Sequence, residues 1–525
     1  MIRIWSDDKK AGLLERRNLR GSTFAYDHAA EPERAVSMTM PVRLESWNDD
    51  HHLLPVFEMN LPEGYLRERL RQQFAKALGH FDDFDLLGVS GRTQMGRLRY
   101  TGADESLTED VPFQSVDEIL KSRRDGTLFD DLLEKFTLYS GISGVQPKVL
   151  VRDNMSETGA RLSQSFRGAT HIVKLWDPRE YPELAANEYF CLRAAENAGL
   201  SVPKFQLSEG GEALVLDRFD LQPDGSYLGM EDFAVLNGRG TADKYRGSYE
   251  TAIISRAKDY LGETQFRSQG PALFKLLALN AILRNGDAHL KNFALTYPSV
   301  EATPSLAPVY DVVTTSAYLP RDQMALTIDG STKWPDREKL ITLGRRLGLS
   351  PAAAGEMIDQ VAEAVDRTRS EVRSYMKDRP SFQEIGDRML SAWEEGLQHS
   401  AGHVPTLIDP GPPQTSLSAP DQSKSETFRL PETGDQAQLK DLKVKMARRD
   451  SDDLLSIVEN NRQRISSIKD QGEGITSSTR IERRELEAGL SLLRQTLGAR
   501  GIETGRKKEQ RENSPSRTRG RGRRR

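Results

Sequence analysis

The sequence predicts an α+β protein with an appended helical, partly disordered C-terminal region, and three observations carry that reading. Residues 1 to about 110 mix short strand-like runs with one clear helix. Residues 130–235 place β-rich runs around a single helix, and residues 270–400 are mostly helical in pattern. Strand-rich and helix-rich stretches are thus segregated along the chain, as α+β architecture requires. At 525 residues the chain is too long for one ordinary core, so about two to four domains are expected.

In the first segment, 1–110, the strand candidates are Met1 to Trp5 and Ala35 to Val42. The helix follows Asn60-Leu61-Pro62-Glu63-Gly64, where proline suits a helix start. Leu66, Leu70, Phe74 and Leu78 recur on one face at helical spacing, with Arg67, Arg69, Arg71 and Lys76 outside. Leu86 to Arg97, with three glycines, reads as a turn-rich connection. In the second segment, 130–235, Lys148 to Val151, His171 to Leu175 and Ala213 to Phe219 read as strands. Glu183 to Gly199 reads as a helix closed by its glycine. The third segment, 236–400, holds helices at Pro271 to Leu283, Ala352 to Met376 and Phe382 to Leu397.

Near residue 401 the texture changes. Residues 401–440 are rich in Pro, Ser, Asp and Gln and read as a flexible linker. In 441–500, Leu454, Ile457, Asn461, Ile465 and Ile468 mark one helical stripe, and Leu486, Leu490, Leu493 and Leu497 a second, so a helical hairpin or coiled coil is expected. Residues 501–525 read as a disordered basic tail, with ten Lys/Arg against three Asp/Glu, a local charge of +7. The whole chain is nevertheless −4, so the remainder is acidic and a uniformly basic nucleic-acid binder is disfavoured. The single cysteine, Cys191, excludes an intrachain disulfide and a cysteine-based zinc site. The N-terminus has no apolar signal core, and no run approaches the ~20 apolar residues of a membrane span. A cytoplasmic location without membrane contact is expected.

The chemistry gathers in a few short strings. Arg284-Asn-Gly-Asp287-Ala-His289-Leu-Lys291-Asn292 follows an apolar helix and sets an acid five positions before an asparagine; a second acid, Asp311, follows the apolar run ending at Tyr310. Phosphoryl transfer needs such a set: one carboxylate orients a hydroxyl and accepts its proton, while an amide and a second carboxylate hold metal ions on ATP. Alone, D-x-x-x-x-N is common in ordinary loops, and Asp311 is equally a strand-end turn aspartate. Upstream, Ser140-Gly-Ile-Ser143-Gly144-Val145-Gln146-Pro147-Lys148 is a small-residue loop whose amides can approach phosphate, although it is neither a Walker loop nor G-x-G-x-x-G. Lys174 stands in the apolar run His171-Ile-Val-Lys-Leu175 and needs an anion if buried. Glu188 in the next helix can supply it; the ordinary alternative is an edge-strand lysine reaching solvent. Asp217-Arg218-Phe219 ends the following strand, where a kinase holds adenine. His289 contacts phosphate or braces its loop. The order of loop, strand Lys, helix Glu, Asp with Asn at the fifth position, then Asp is that of a kinase site. No H-R-D, D-F-G, A-P-E or G-x-S-x-G occurs.

Over roughly residues 1–395 these strings, with THIVKLW, NEYFCLRAAENAGL, ALVLDRFD, APVYDVV, NLPEG and FDLLG, resemble the HipA family. Its members are serine/threonine kinases that form the toxin halves of bacterial toxin–antitoxin pairs. The resemblance implies a bilobal protein-kinase-like fold behind an N-terminal α/β subdomain. Residues 130–235 would be the N-lobe and 236–400 the helical C-lobe. It makes Asp287 the base, sets Asn292 and Asp311 on Mg²⁺, and puts Lys174 on ATP phosphates. Ser143 to Lys148, Asp217 to Phe219, His289 and Tyr310 would line the nucleotide. It further implies autophosphorylation of a loop serine, Ser143 or else Ser140. The implied target is a protein serine, with aminoacyl-tRNA synthetases as the target class. The implied partner is a helix-turn-helix antitoxin that mediates contact with operator DNA. The competing reading is an inactive kinase fold that binds nucleic acid or scaffolds through its basic tail.

Overall fold

In the computed structural model the described residues are 1–17, 21–78, 81–122, 128–144, 146–153, 166–176 and 181–403, with Val458, Asn461 and Ile465. Two compact units divide the chain, Met1–Ile408 and Asp409–Arg525. Of the second, the three described residues are helical and buried; they include Asn461 and Ile465 of the predicted stripe. The predicted linker, the rest of the hairpin and the basic tail lie outside the described residues.

The N-terminal subdomain of the first unit is built on an antiparallel five-stranded sheet. Its strands are β1 (Ile2–Ser6), β2 (Lys9–Arg16), β3 (Ser22–Tyr26) and β4 (Trp47–Asp49), with β5 (Leu98–Gly102) returning beside β1 in the order β4-β3-β2-β1-β5. Asp7 and Asp8, both at positive φ (49° and 60°), make the tight turn joining β1 to β2. Between β4 and β5 lie α1 (Pro55–Glu58), α2 (Gly64–Leu78) and α3 (Asp83–Ser90). Ile4, Leu14, Phe24, Phe57, Leu87 and Tyr100 close the core beneath them.

Two sequence expectations need correction in this region. Ala35 to Val42 is no strand: it is a loop with one isolated bridge, Ser37 to Met40, and its apolar residues Val36 and Met40 serve as anchors in the core. Leu86 to Arg97 is not all turn, because its first half belongs to α3. Asp82 caps that helix by accepting the N–H groups of Phe84 and Asp85, and Asp85 reciprocates.

After α4 (Val116–Leu120) and α5 (Leu128–Phe136), a four-stranded antiparallel sheet forms in the order β6-β7-β9-β8. It comprises β6 (Lys148–Val151), β7 (His171–Lys174), β8 (Phe205–Leu207) and β9 (Leu214–Asp217), with α6 (Leu184–Asn197) between β7 and β8. Burial of every β7 side chain explains its unbroken apolar pattern.

The remaining elements are largely helical. They begin with β10 (Gly229–Asp232), α7 (Phe233–Leu236) and α8 (Arg256–Ile282). β11 (Ala294–Tyr297) pairs with β10, and β12 (Ser305–Leu306) pairs with β11, in the order β10-β11-β12. Then come α9 (Arg337–Arg346), α10 (Pro351–Asp378) and α11 (Gln383–Gly396). The apolar run Leu306 to Tyr310 is strand only at its first residue, in β12. α8 begins well before the predicted Pro271, with two helical stretches meeting at Gly262 (φ 69°). α10 packs against both α6 and α8, so one long helix ties the strand-bearing half to the helical half. Among the described residues no helix is long and apolar enough to cross a membrane.

Candidate active site

The catalytic-loop candidate begins where α8 ends. Arg284 takes positive φ (58°), turning the chain out of the helix, and its guanidinium donates to the Glu395 carbonyl (3.1 Å) and the Ser400 hydroxyl (3.2 Å). The loop is thereby fastened to the end of α11. Asn285 donates to Asn280 Oδ1 (2.8 Å) and accepts the Asp287 N–H (3.2 Å). Gly286 is required by space: a Cβ there would lie 2.0 Å from Asp322 Oδ2 and 2.5 Å from the Gln323 carbonyl. The tripeptide before Asp287 is thus an anchor, a brace and a close-approach glycine.

Asp287, so placed, faces a cavity of about 800 Å³ also lined by Ser143, Gly144, Gln146, Pro147, Lys148, Lys174, Phe219, His289, Asn292, Tyr310 and Asp311. Burial pushes its carboxyl up, partly offset by the hydroxyl of Tyr245, which donates to Oδ1 at 2.7 Å. Asn292, delivered by the 3₁₀ turn Leu290–Asn292, donates to the Asp311 carbonyl (3.1 Å). Its Oδ1 is buried with no hydrogen-bond partner among the described residues.

Lys174 projects from the last position of β7 and is 3% exposed, so it is not a solvent-reaching edge lysine. Its ammonium bonds both Glu188 of α6 and Asp311. Lys148, its register partner on β6, lies 3.5 Å from the other Asp311 oxygen. Burial works against the Asp311 carboxylate, but Lys148 and Lys174 outweigh it and hold that group below the usual carboxylate range. Burial likewise lowers Lys148, against the pull of Asp311. Two lysines and two carboxylates balance here, which is what permits four charges in a buried place.

Phe219 and Tyr310 stack with centroids 5.7 Å apart at 17°, and Ile172, Leu216, Met95 and Met230 continue that apolar wall. His289 is buried and lies beside Lys244 and Lys291; burial first, then those two cations, push its imidazole down to about 3, so it is neutral at pH 7. The ring of Tyr245 meets it edge-on at 5.0 Å. The small-residue loop crosses the same cavity. At Gly144 (φ 121°) a Cβ would sit 2.4 Å from Lys148 Nζ. Val145 lies outside the described residues.

Some predicted residues stand elsewhere. The side chains of Asp217 and Arg218 turn from the cavity: Asp217 lies 3.3 Å from His171, and Arg218 is buried against Asp220 (2.6 Å) and the Gln94 carbonyl (2.8 Å). Of the three, only Phe219 lines the cavity. Ser140 is fully buried, donating to the Phe136 carbonyl (2.7 Å) and accepting the Leu150 N–H (2.9 Å).

Several cavity residues escaped the sequence reading. Glu63 bonds both Lys244 (2.8 Å) and Lys291 (2.9 Å); burial raises its carboxyl, but those lysines more than offset this and bring it down to about 2. It joins the N-terminal subdomain to the catalytic-loop candidate. The available signal was the string NLPEG itself, an acid held between a proline and a glycine at a helix start. Tyr245 and Asp322 carried no signal.

The comparisons with known proteins agree with this architecture. The HipA N-terminal domain matches residues 2–101 and the HipA-like C-terminal domain matches residues 140–369. A Sinorhizobium fredii protein named "Putative kinase Y4dM" is 28% identical over 352 residues, covering 63% of this chain and 80% of that one. A second from the same organism, "Putative kinase Y4mE", is 26% identical over 420 residues, covering 74% and 96%. Among solved structures, the HipA of Shewanella oneidensis MR-1, titled as a toxin–antitoxin complex with HipB and operator DNA, superposes with a TM-score of 0.54. It does so at 17% identity, over 77% of this chain and 98% of that chain. With both HipA domains in their order and an α+β fold of the HipA type, this chain belongs to the HipA family.

Proposed function

We propose that the chain is an ATP-dependent serine/threonine protein kinase that modifies a serine of a target protein and its own Ser143. The observation that carries this reading is the junction at Asp311. There Lys174, held by Glu188, meets a carboxylate whose backbone is held by Asn292, in the cavity that Asp287 faces. ATP would set its base against the Phe219–Tyr310 stack and its phosphates toward Lys174 and the Ser143–Lys148 loop. Asp287 would orient the acceptor hydroxyl and take its proton as the bond from Pγ to the departing ADP breaks. The burial that raises its carboxyl also makes it a better base.

The donors present fit Mg²⁺. Asn292 Oδ1 and the Asp311 carboxylate are hard oxygens, and the first is buried without a partner among the described residues. Held by these two residues, the ion would neutralise charge on the phosphates. Neutral His289 would brace the loop from the side of Lys244 and Lys291 without adding a third positive charge.

Of the two loop serines, Ser143 lines the cavity and Ser140 is committed to the backbone around it. A phosphate on Ser143 would bring about −1.5 to −2 charge into the place of the ATP phosphates. We extend the reading to the toxin half of a toxin–antitoxin pair, with a helix-turn-helix antitoxin as partner and operator DNA reached through it. Support comes from the HipA–HipB–operator complex of the Shewanella relative. An aminoacyl-tRNA synthetase is the target class taken from the resemblance.

The test is incubation with γ-labelled ATP and Mg²⁺, alone and with cell extract, beside Asp287→Asn. Serine-linked label that is lost in the variant is expected. If wild type and Asp287→Asn label equally, or neither labels while nucleic acid binds in a salt-sensitive way, the kinase reading fails.

A further inference from the structure

The mouth of the cavity carries an acceptor-binding surface, and its chemistry narrows the substrate. Eight large hydrophobic residues are exposed among the described residues, and four of them, Tyr65, Tyr181, Tyr245 and Leu319, line this one cavity. Apolar and aromatic groups concentrated on one opening mark a binding surface, whereas scattered ones do not. The same cavity is lined by Asp287. Tyr245 is hydrogen-bonded to it, and Leu319 caps the turn whose Thr315 accepts the Gly286 N–H (2.6 Å). Tyr181 packs edge-on against Tyr318 at 5.4 Å, and Tyr318 also lines the opening.

Tyr245 also shows where an acceptor hydroxyl belongs. It is half exposed, and its Oη donates to Asp287 Oδ1 at 2.7 Å, the contact a substrate serine would make with a base. The charges at the opening favour one kind of partner. Lys244 and Lys291 are both paired to Glu63, leaving those cations committed, and Glu68 is paired to Arg71. Asp287 and Asp322 face the same space. An acidic segment would therefore meet like charge and find its cations already engaged.

We propose that this surface binds a polypeptide segment whose serine is flanked by apolar side chains and lacks acidic neighbours, the serine hydroxyl replacing that of Tyr245 on Asp287. This rests on the kinase reading above and specifies its substrate class.

The test uses the full chain saturated with a non-hydrolysable ATP analogue and Mg²⁺. Two fluorescent peptides of equal length are titrated by anisotropy, one with its serine flanked by Leu and Phe, the other by Asp and Glu. The apolar peptide should bind at least about tenfold tighter, and Leu319→Asp or Tyr181→Asp should remove that advantage. Equal binding of both peptides, binding of neither, or a preference untouched in both variants overturns the proposal. Calorimetric binding of the ATP analogue alone, together with label loss in Asp287→Asn, reads the kinase assignment separately. Those two measurements can succeed while the peptide result fails.

Discussion

Replacing Glu188 by glutamine tests the charge balance on which the proposed nucleotide site rests. Glu188 is fully buried, and its partner Lys174 is 3% exposed. Lys148, Lys174, Glu188 and Asp311 sum to zero, so Glu188→Gln leaves one buried positive charge uncompensated. Removing one member of a buried pair costs about 3–5 kcal/mol when nothing else compensates. Here Asp311 still contacts Lys174, and glutamine keeps an acceptor oxygen, so a loss near the lower end, about 3 kcal/mol, is expected. On the proposed reading, bound ATP would bring negative phosphates to the same lysines and restore the balance. The assay is thermal melting of wild type and variant, with and without a non-hydrolysable ATP analogue and Mg²⁺. The variant should melt lower without nucleotide, and the gap should narrow when the analogue is present at matched saturation. Turnover should fall even then, because Lys174 loses the contact that directs it away from Asp311. Equal melting temperatures without nucleotide, or a gap that nucleotide leaves unchanged, would refute the reasoning.

Three further outcomes are expected. Ser143→Asp places a carboxylate among the Ser143–Lys148 loop amides and should weaken ATP binding and lower activity; calorimetry showing wild-type affinity would remove the idea. Gly396→Ala pushes a Cβ to 1.9 Å from the Ile282 carbonyl, a backbone atom that cannot swing aside, so α11 must shift off the end of α8. A loss of about 1–3 kcal/mol in urea unfolding is expected, and an unchanged midpoint would show that the two helices yield. Glu63 has a folded carboxyl at about 2 against 4.5 unfolded, so its contribution is fully present above pH 4.5 and is lost as pH falls toward 2. The stability difference between wild type and Glu63→Gln, at most about 3 kcal/mol, should therefore shrink across that window, and a difference independent of pH would contradict the pairing with Lys244 and Lys291.

What the sequence revealed depended on how far apart the interacting residues stand along it. Asp287 and Asn292 share one loop, so their spacing is readable, and the apolar surroundings of Lys174 already required an anion. Glu188 stands fourteen residues further on, inside the next helix. Glu63 stands 181 residues from Lys244, and no local pattern links them. Tyr245 was equally silent, because an exposed tyrosine in a loop has no periodicity to read. The errors in secondary structure share a cause. Ala35 to Val42 has the apolar content of a strand, but Val36 and Met40 enter a core that neighbouring elements build, without pairing to a strand. The glycines of Leu86 to Arg97 suggest a turn, while the Asp82 cap decides the helix, with Asp85 where the usual signature has Glu or Gln. The strand ending at Asp217 is readable in the sequence, but the engagement of Asp217 with His171 and of Arg218 with Asp220 and the Gln94 carbonyl is not.

Arg284-Asn-Gly-Asp287 stands in place of the usual H-R-D, and this has a physical consequence for how Asp287 is held. In this chain the arginine spends its guanidinium on Glu395 and Ser400, at the far end of the helical half. The glycine lets Asp322 and Thr315 close from the other side. Trp393 of the same final helix donates to Thr314 (2.6 Å), whose N–H is in turn accepted by Asn187 (2.8 Å), one residue before Glu188. α11 thus touches both the loop carrying Asp287 and the helix carrying Glu188. Displacing it would move Asp287 and the partner of Lys174 together. The positions of Asp287 and of Glu188 therefore both depend on one packed element.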